Sequence, residues 1–131
     1  MRFLVDTHVW LWSLTAPEKL ARRVANALTN AKNEGWLSPV SVWELNVLAE
    51  RGRVKLDEEP RAWIREALAR TPWHEAPLVH EVALRSRELA LPQQDPADRF
   101  LVATALCYEL TFVTADRDII RARPCTLLPN E

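Results

Sequence analysis

Glycine is scarce in this chain: only Gly35 and Gly52 occur among 131 residues. A glycine-rich loop that cradles phosphates is therefore missing, and with it most of the support for a nucleotide-cofactor fold. Cysteine is as sparse, and Cys107 and Cys125 match no paired ligand spacing, which favours reduced packing residues over a disulfide or a zinc site. His8, His74 and His80 are singletons that read as packing or surface residues, His8 being the one whose dismissal is least safe. No apolar run reaches the roughly 20 residues of a membrane span, and the N-terminus shows no basic stretch followed by a cleavable apolar one, so a cytoplasmic protein is expected. The formal net charge of -1 argues against an overall basic footprint for nucleic acid. Arginine supplies 14 of the 17 basic residues, so any such surface is local and suited to bidentate phosphate contacts.

What is present is globular: 48% hydrophobic and 27% charged residues predict one domain over residues 1–131. Residues 2–5 read as a buried first strand and 7–14 as a short helix that is apolar nearly all round, with Trp10 and Trp12 as candidates for an outer contact with a partner. A long helix is expected over 17–33, ending at Gly35 as its cap, followed by a short strand at 36–38 and a helix over 39–51 stopped by Gly52. Further helices are expected over 60–70, with Trp63, Ile64, Ala67 and Leu68 inward, over 79–89, and after Pro96. Strands at 73–76, 111–114 and 125–128 and a short helix over 117–122 complete an alternation that predicts an α/β fold with a parallel sheet. Ligands of such sheets gather beyond the carboxyl ends of the strands, where Asp6 and Asp116 fall.

Four acids stand beside or inside apolar segments: Asp6, Glu44, Asp98 and Asp116. Each alone has an ordinary explanation, since Asp6, Asp95 and Asp116 precede helices as caps do and Asp98 favours a helix dipole. Two details resist it. Asp98 shares a helical row with Leu101, Val102 and Ala105, and Glu44 interrupts the apolar row Val40, Val47 and Leu48 with no basic residue three or four positions away. If the four converge, oxygen-only ligation matches Mg²⁺ or Mn²⁺ and hydrolysis of a phosphodiester by a metal-activated water.

With those residues in place, the chain resembles a PIN-domain ribonuclease of the VapC toxin kind. The resemblance spans nearly the whole chain and is carried by Leu4-Val5-Asp6-Thr7-His8, Ser41-Val42-Trp43-Glu44-Leu45, the run from Asp95 to Ala105, and Phe112-Val113-Thr114-Ala115-Asp116. It implies a three-layer α/β/α domain around a mainly parallel twisted sheet. It also implies a Mg²⁺- or Mn²⁺-dependent endoribonuclease acting on structured RNA such as transfer or ribosomal RNA, as the toxin of a toxin–antitoxin pair. Asp6 and Asp98 would be the principal metal ligands, with Glu44 and Asp116 completing the pocket. Asp95, Arg99, Thr114 and Arg117 are candidates to support the ligands or touch substrate, and the role of Asp118 stays open. A homodimer and a complex with a VapB-like antitoxin are implied as well.

Two other classes lack their marks: a phosphoacceptor receiver domain wants adjacent acids after its first strand and a late lysine, and a metal-dependent phosphatase acting on small phosphoesters wants a nucleophile or a phosphate-holding loop. The alternative that survives is a non-catalytic RNA- or protein-binding module on the same fold.

Overall fold

The computed structural model describes all of residues 1–131. Its strands are β1 (Arg2–Val5), β2 (Glu34–Leu37), β3 (His74–Glu75), β4 (Thr111–Thr114) and β5 (Leu127–Pro129). Its α-helices are α1 (Thr7–Thr15), α2 (Arg22–Thr29), α3 (Pro39–Glu50), α4 (Pro60–Arg70), α5 (His80–Ser86), α6 (Pro96–Cys107) and α7 (Arg117–Ala122). The strands lie in the order β3-β2-β1-β4-β5 and every pairing is parallel.

Side chains alternate across a strand, so β1 sends Phe3 and Val5 to one face and Leu4 to the other. The first face packs Phe3, Val5 and Val113 against Val9, Trp10, Val24, Trp63 and Ile64 from α1, α2 and α4. The second packs Leu4 and Phe112 against Leu101, Val102 and Ala105 of α6 and Ile119 of α7. Helix α3 contributes Leu45 to the first cluster and Val40 to the second. The result is the expected three-layer α/β/α arrangement, with a sheet that is wholly parallel.

Several local expectations are corrected. The long helix over 17–33 is broken into a 3-10 turn at Pro17–Lys19 and α2, because Leu20 is extended and the Ala21 amide donates to the Asn130 side chain at 2.6 Å. Gly35 is no helix cap; it lies in β2 opposite Phe3. A Cβ there would run into the Trp73 ring and come within 2.6 Å of Phe3 Cζ, and those two rings already meet edge to face at 5.5 Å. Gly35→Ala should therefore lower stability by about 1–3 kcal/mol through overpacking. The check is a lower denaturant midpoint at unchanged slope, and an unshifted midpoint would show that the rings yield freely. Gly52 does stop α3, in the left-handed conformation at φ 70°. Leu68, expected inward, is 39% exposed.

Trp10 is also corrected, because it is fully buried in the core, with its indole N–H donating to Thr71 Oγ1 at 3.0 Å. Trp12 is half-buried at the surface, while Trp43 is the exposed tryptophan, at 57%. Cys107 and Cys125 are unpaired, and burial pushes the Cys125 thiol up to about 11, consistent with a packing role. No helix is long and apolar enough to cross a membrane.

Candidate functional site

From β1 the chain runs to β2 and β3 on one side of the sheet and only later to β4 and β5 on the other. The crevice at the carboxyl ends of β1 and β4 is thus the topological switch point, where a doubly wound sheet leaves room for a ligand. Asp6 is the first residue after β1, and Asp116 lies two residues beyond β4.

Both Asp6 oxygens are engaged. Oδ1 accepts the Thr7 amide at 2.7 Å and Oδ2 accepts the Thr114 hydroxyl at 2.6 Å. The same Thr114 oxygen accepts the Asp116 amide at 3.0 Å, so one buried threonine joins the two strand ends. Burial raises the Asp6 carboxyl above its usual range, against the lowering by Thr114 and Thr7. Asp116 caps α7, its Oδ1 accepting the amides of Asp118 at 2.9 Å and Ile119 at 3.1 Å.

Helix α3 brings Glu44, and α6 brings Asp98. Ser38 caps α3 ahead of Pro39, and Asp95 caps α6 ahead of Pro96, accepting the Ala97 amide at 2.9 Å. Both site carboxyls are half-buried. Burial raises Glu44, reinforced by the charges of Asp6 and Asp95 and opposed by the Thr7 hydroxyl. Asp98 is pushed furthest, to about 8, by burial first and then by the charges of Asp6, Asp95, Asp116 and Glu44. The residues singled out in the sequence therefore share one electrostatic environment, gathered from four elements. Sequence reasoning missed the buried pair beneath them, Thr7 donating to Ser41 at 3.0 Å; Ser41 stands three residues before Glu44, on its helical row.

Other expectations divide. Thr114 lies between the two strand-end acids, donating to Asp6 and accepting from the Asp116 amide. Arg117 is exposed beside Asp116. Arg99 does not face substrate: it is 5% exposed, and its guanidinium donates to the carbonyls of Ser86, Leu91, Gln93 and Leu89 at 2.8, 2.7, 2.9 and 3.3 Å. The α6 turn that presents Asp98 outward points its neighbour into the strap of chain before the helix. Asp118 lies exposed, 3.5 Å from Arg121. His8 is exposed and lies near both Asp6 and Glu44.

The donor chemistry suits a hard cation: carboxylates with threonine hydroxyls behind them, and no thiolate or paired imidazole. Carboxyls driven upward by burial and by one another's charge are groups that an added positive charge would relieve. The side chains are not drawn into a finished cage, since no three acid, histidine or cysteine side chains are grouped closely enough to hold an ion as they stand.

Comparison with known proteins agrees with this architecture. The PIN domain family matches residues 3–123. The chain is 32% identical over 117 residues to Ribonuclease VapC22 of Mycobacterium tuberculosis, covering 87% of this chain and 86% of that protein. Among solved structures it is similar to VapBC2 from Rickettsia felis bound to a promoter DNA fragment, with TM-score 0.71, 17% identity and full coverage of both chains. It is also similar to FitAcB from Neisseria gonorrhoeae, with TM-score 0.66, 21% identity and 99% and 98% coverage. A parallel sheet with acids at its switch point and a match over most of its length agree: this chain belongs to the PIN-domain family.

Proposed function

We propose that the protein is a divalent-metal-dependent endoribonuclease, the toxin of a VapBC-type pair, cutting exposed single-stranded segments of structured RNA such as transfer or ribosomal RNA. The observation that carries this is the mutual electrostatic influence of Asp6, Glu44, Asp98 and Asp116 at the switch point of the sheet, with Asp98 pushed up to about 8 by burial first and then by its neighbours' charges. Similarity to a protein named as a ribonuclease supports the same reading. A Mg²⁺ or Mn²⁺ ion supplies Lewis-acid charge for the phosphodiester and a more acidic water when bound.

The chain's residues do the rest. Asp6 and Asp98 would hold the ion, with Glu44 and Asp116 completing the acidic wall. Thr114 and the Thr7 amide fix the Asp6 carboxylate, so it needs little reordering when an ion arrives. The coupled carboxylates as a set, rather than one named base, would take the proton of the attacking water. A VapB-like antitoxin and a homodimer are the assemblies proposed, and the cytoplasm is the compartment.

Purified protein incubated with transfer and ribosomal RNA should yield discrete fragments in Mg²⁺ or Mn²⁺ and none in EDTA. Intact RNA in every lane, with protein that still binds it, would favour the binding-module alternative. Metal should also raise the melting temperature, by about 2.7 kcal/mol of stabilisation at a hundredfold excess over Kd. A melting curve indifferent to both ions would remove the metal from the proposal.

A further inference from the structure

Beside Asp116 lies a second concavity of about 810 Å³, lined among others by Trp12, Lys19, Ala115, Arg117, Arg121 and Asn130. Three of its residues are cationic and one, Glu131, is acidic, a local excess in a chain whose overall charge is -1. Lys19 is not a free-swinging side chain: its Nζ sits 5.6 Å from the centre of the Trp12 ring, a cation–π arrangement that keeps the ammonium at the cleft wall. Trp12 also meets His8, at 5.8 Å between ring centres, and His8 lies near Asp6 and Glu44. Arg117 follows Asp116 directly, and Arg121 lies one helical turn further along α7. The cleft wall thus neighbours the acids at two points, through Ala115 and Arg117 on either side of Asp116 and through the contact of Trp12 with His8.

We propose that this cleft holds the RNA backbone next to the scissile phosphate, with Lys19, Arg117 and Arg121 on successive phosphates. The proposal rests on the nuclease reading above. Four clustered acids repel a polyanion, and the nearby cations supply the attraction that brings the strand to them. The ion pair of Arg121 with Asp118 does not oppose this, because both are largely exposed at 3.5 Å and such a pair yields readily to a phosphate. Phosphate contacts position a strand without reading its sequence, so the cleft sets affinity and register rather than base preference.

The test is fluorescence anisotropy with a labelled single-stranded oligoribonucleotide of about 12 nucleotides, within the span of known single-strand sites, in EDTA so that the strand stays intact. Lys19→Glu with Arg121→Glu, both at exposed positions, should weaken binding about tenfold or more and lessen the slope of log K against log salt by about 1.4, some 0.7 for each lost phosphate contact. The exposed pair Arg61→Glu with Arg65→Glu on α4 is the charge-matched control and should do neither; equal losses in both would overturn the proposal as a net-charge effect. Wild-type affinity and slope in the cleft variant would overturn it too, even where metal-dependent cleavage is seen. Loss of affinity for a polyglutamate peptide with RNA binding intact would make the cleft a protein contact instead. Weakened RNA binding in the variant together with a wild type that never cleaves would keep the cleft and reject the nuclease reading.

Discussion

Asp98→Asn should abolish RNA cleavage while making the metal-free protein more stable. The loss should exceed about 100-fold, the upper end of what removing a group that merely orients a metal ligand costs. The gain follows from the crowd around it: Asp98 lies half-buried among the charges of Asp6, Asp95, Asp116 and Glu44, and it is pushed up to about 8. Asparagine keeps the shape and removes the repelled charge. After discounting for its remaining solvent contact, the change should be about 1 kcal/mol at neutral pH, on the order of 4 °C in melting temperature. A structural acid would behave in the opposite way, so a destabilised and inactive Asp98→Asn protein would mean that Asp98 serves the fold rather than the site.

The same shift fixes a pH dependence and its sign. A carboxyl whose folded pKa lies above its unfolded value binds its proton more tightly when folded, so its contribution is fully present below about pH 4 and is lost as pH rises through the folded value. For Asp98 that window runs from about 4 to about 8, and Asp6 and Glu44 add to it in the same direction. The metal-free protein should therefore lose stability across that range and Asp98→Asn should lose less. Stabilisation by Mn²⁺ should grow over the same interval, because an ion must displace those protons. Parallel melting curves for wild type and variant between pH 5 and 8, without metal, would contradict the crowding argument.

Much of this site was legible in the sequence because its parts are local. β1, β4, α4 and α7 fall on their expected residues, since each is bounded by a cap, a proline or a clean apolar run. Glu44 was conspicuous for breaking an apolar row and Asp98 for sharing one. The failures all needed a distant partner. Gly35 resembles a cap until Phe3 and Trp73 close over it, and the break before α2 needs Asn130 from the far end of the chain. An all-apolar α1 gives no means of telling Trp10 from Trp12, and Thr71 decides it by accepting the Trp10 indole. Arg99 and Arg117 look alike, each following an acid in the first turn of a helix. A signal did exist: Arg99 shares the helical row of Val102 and Ala103, both buried, and a long side chain on that row goes inward.

That inward arginine should give the largest stability effect in the protein. Arg99 reaches four backbone carbonyls between Ser86 and Gln93, so it closes the segment joining α5 to α6 in place of regular structure. Arg99→Ala strands those carbonyls in a buried setting and removes a charge-assisted donor from each, a loss of about 3–5 kcal/mol. Against a total of roughly 5–15 kcal/mol, this leaves a marginal protein. Arg99→Lys should recover only part of it, because an ammonium lacks the planar fork that spans several carbonyls at once. Proteolysis should open first between α5 and α6, in the segment whose carbonyls the fork no longer ties to α6. Asp95 and Asp98 follow directly, so activity should fall on warming well before the sheet unfolds, in contrast to Asp98→Asn, which is inactive throughout and folded up to its own melting temperature. An Arg99→Ala protein with wild-type stability and weakened RNA binding would return Arg99 to the substrate.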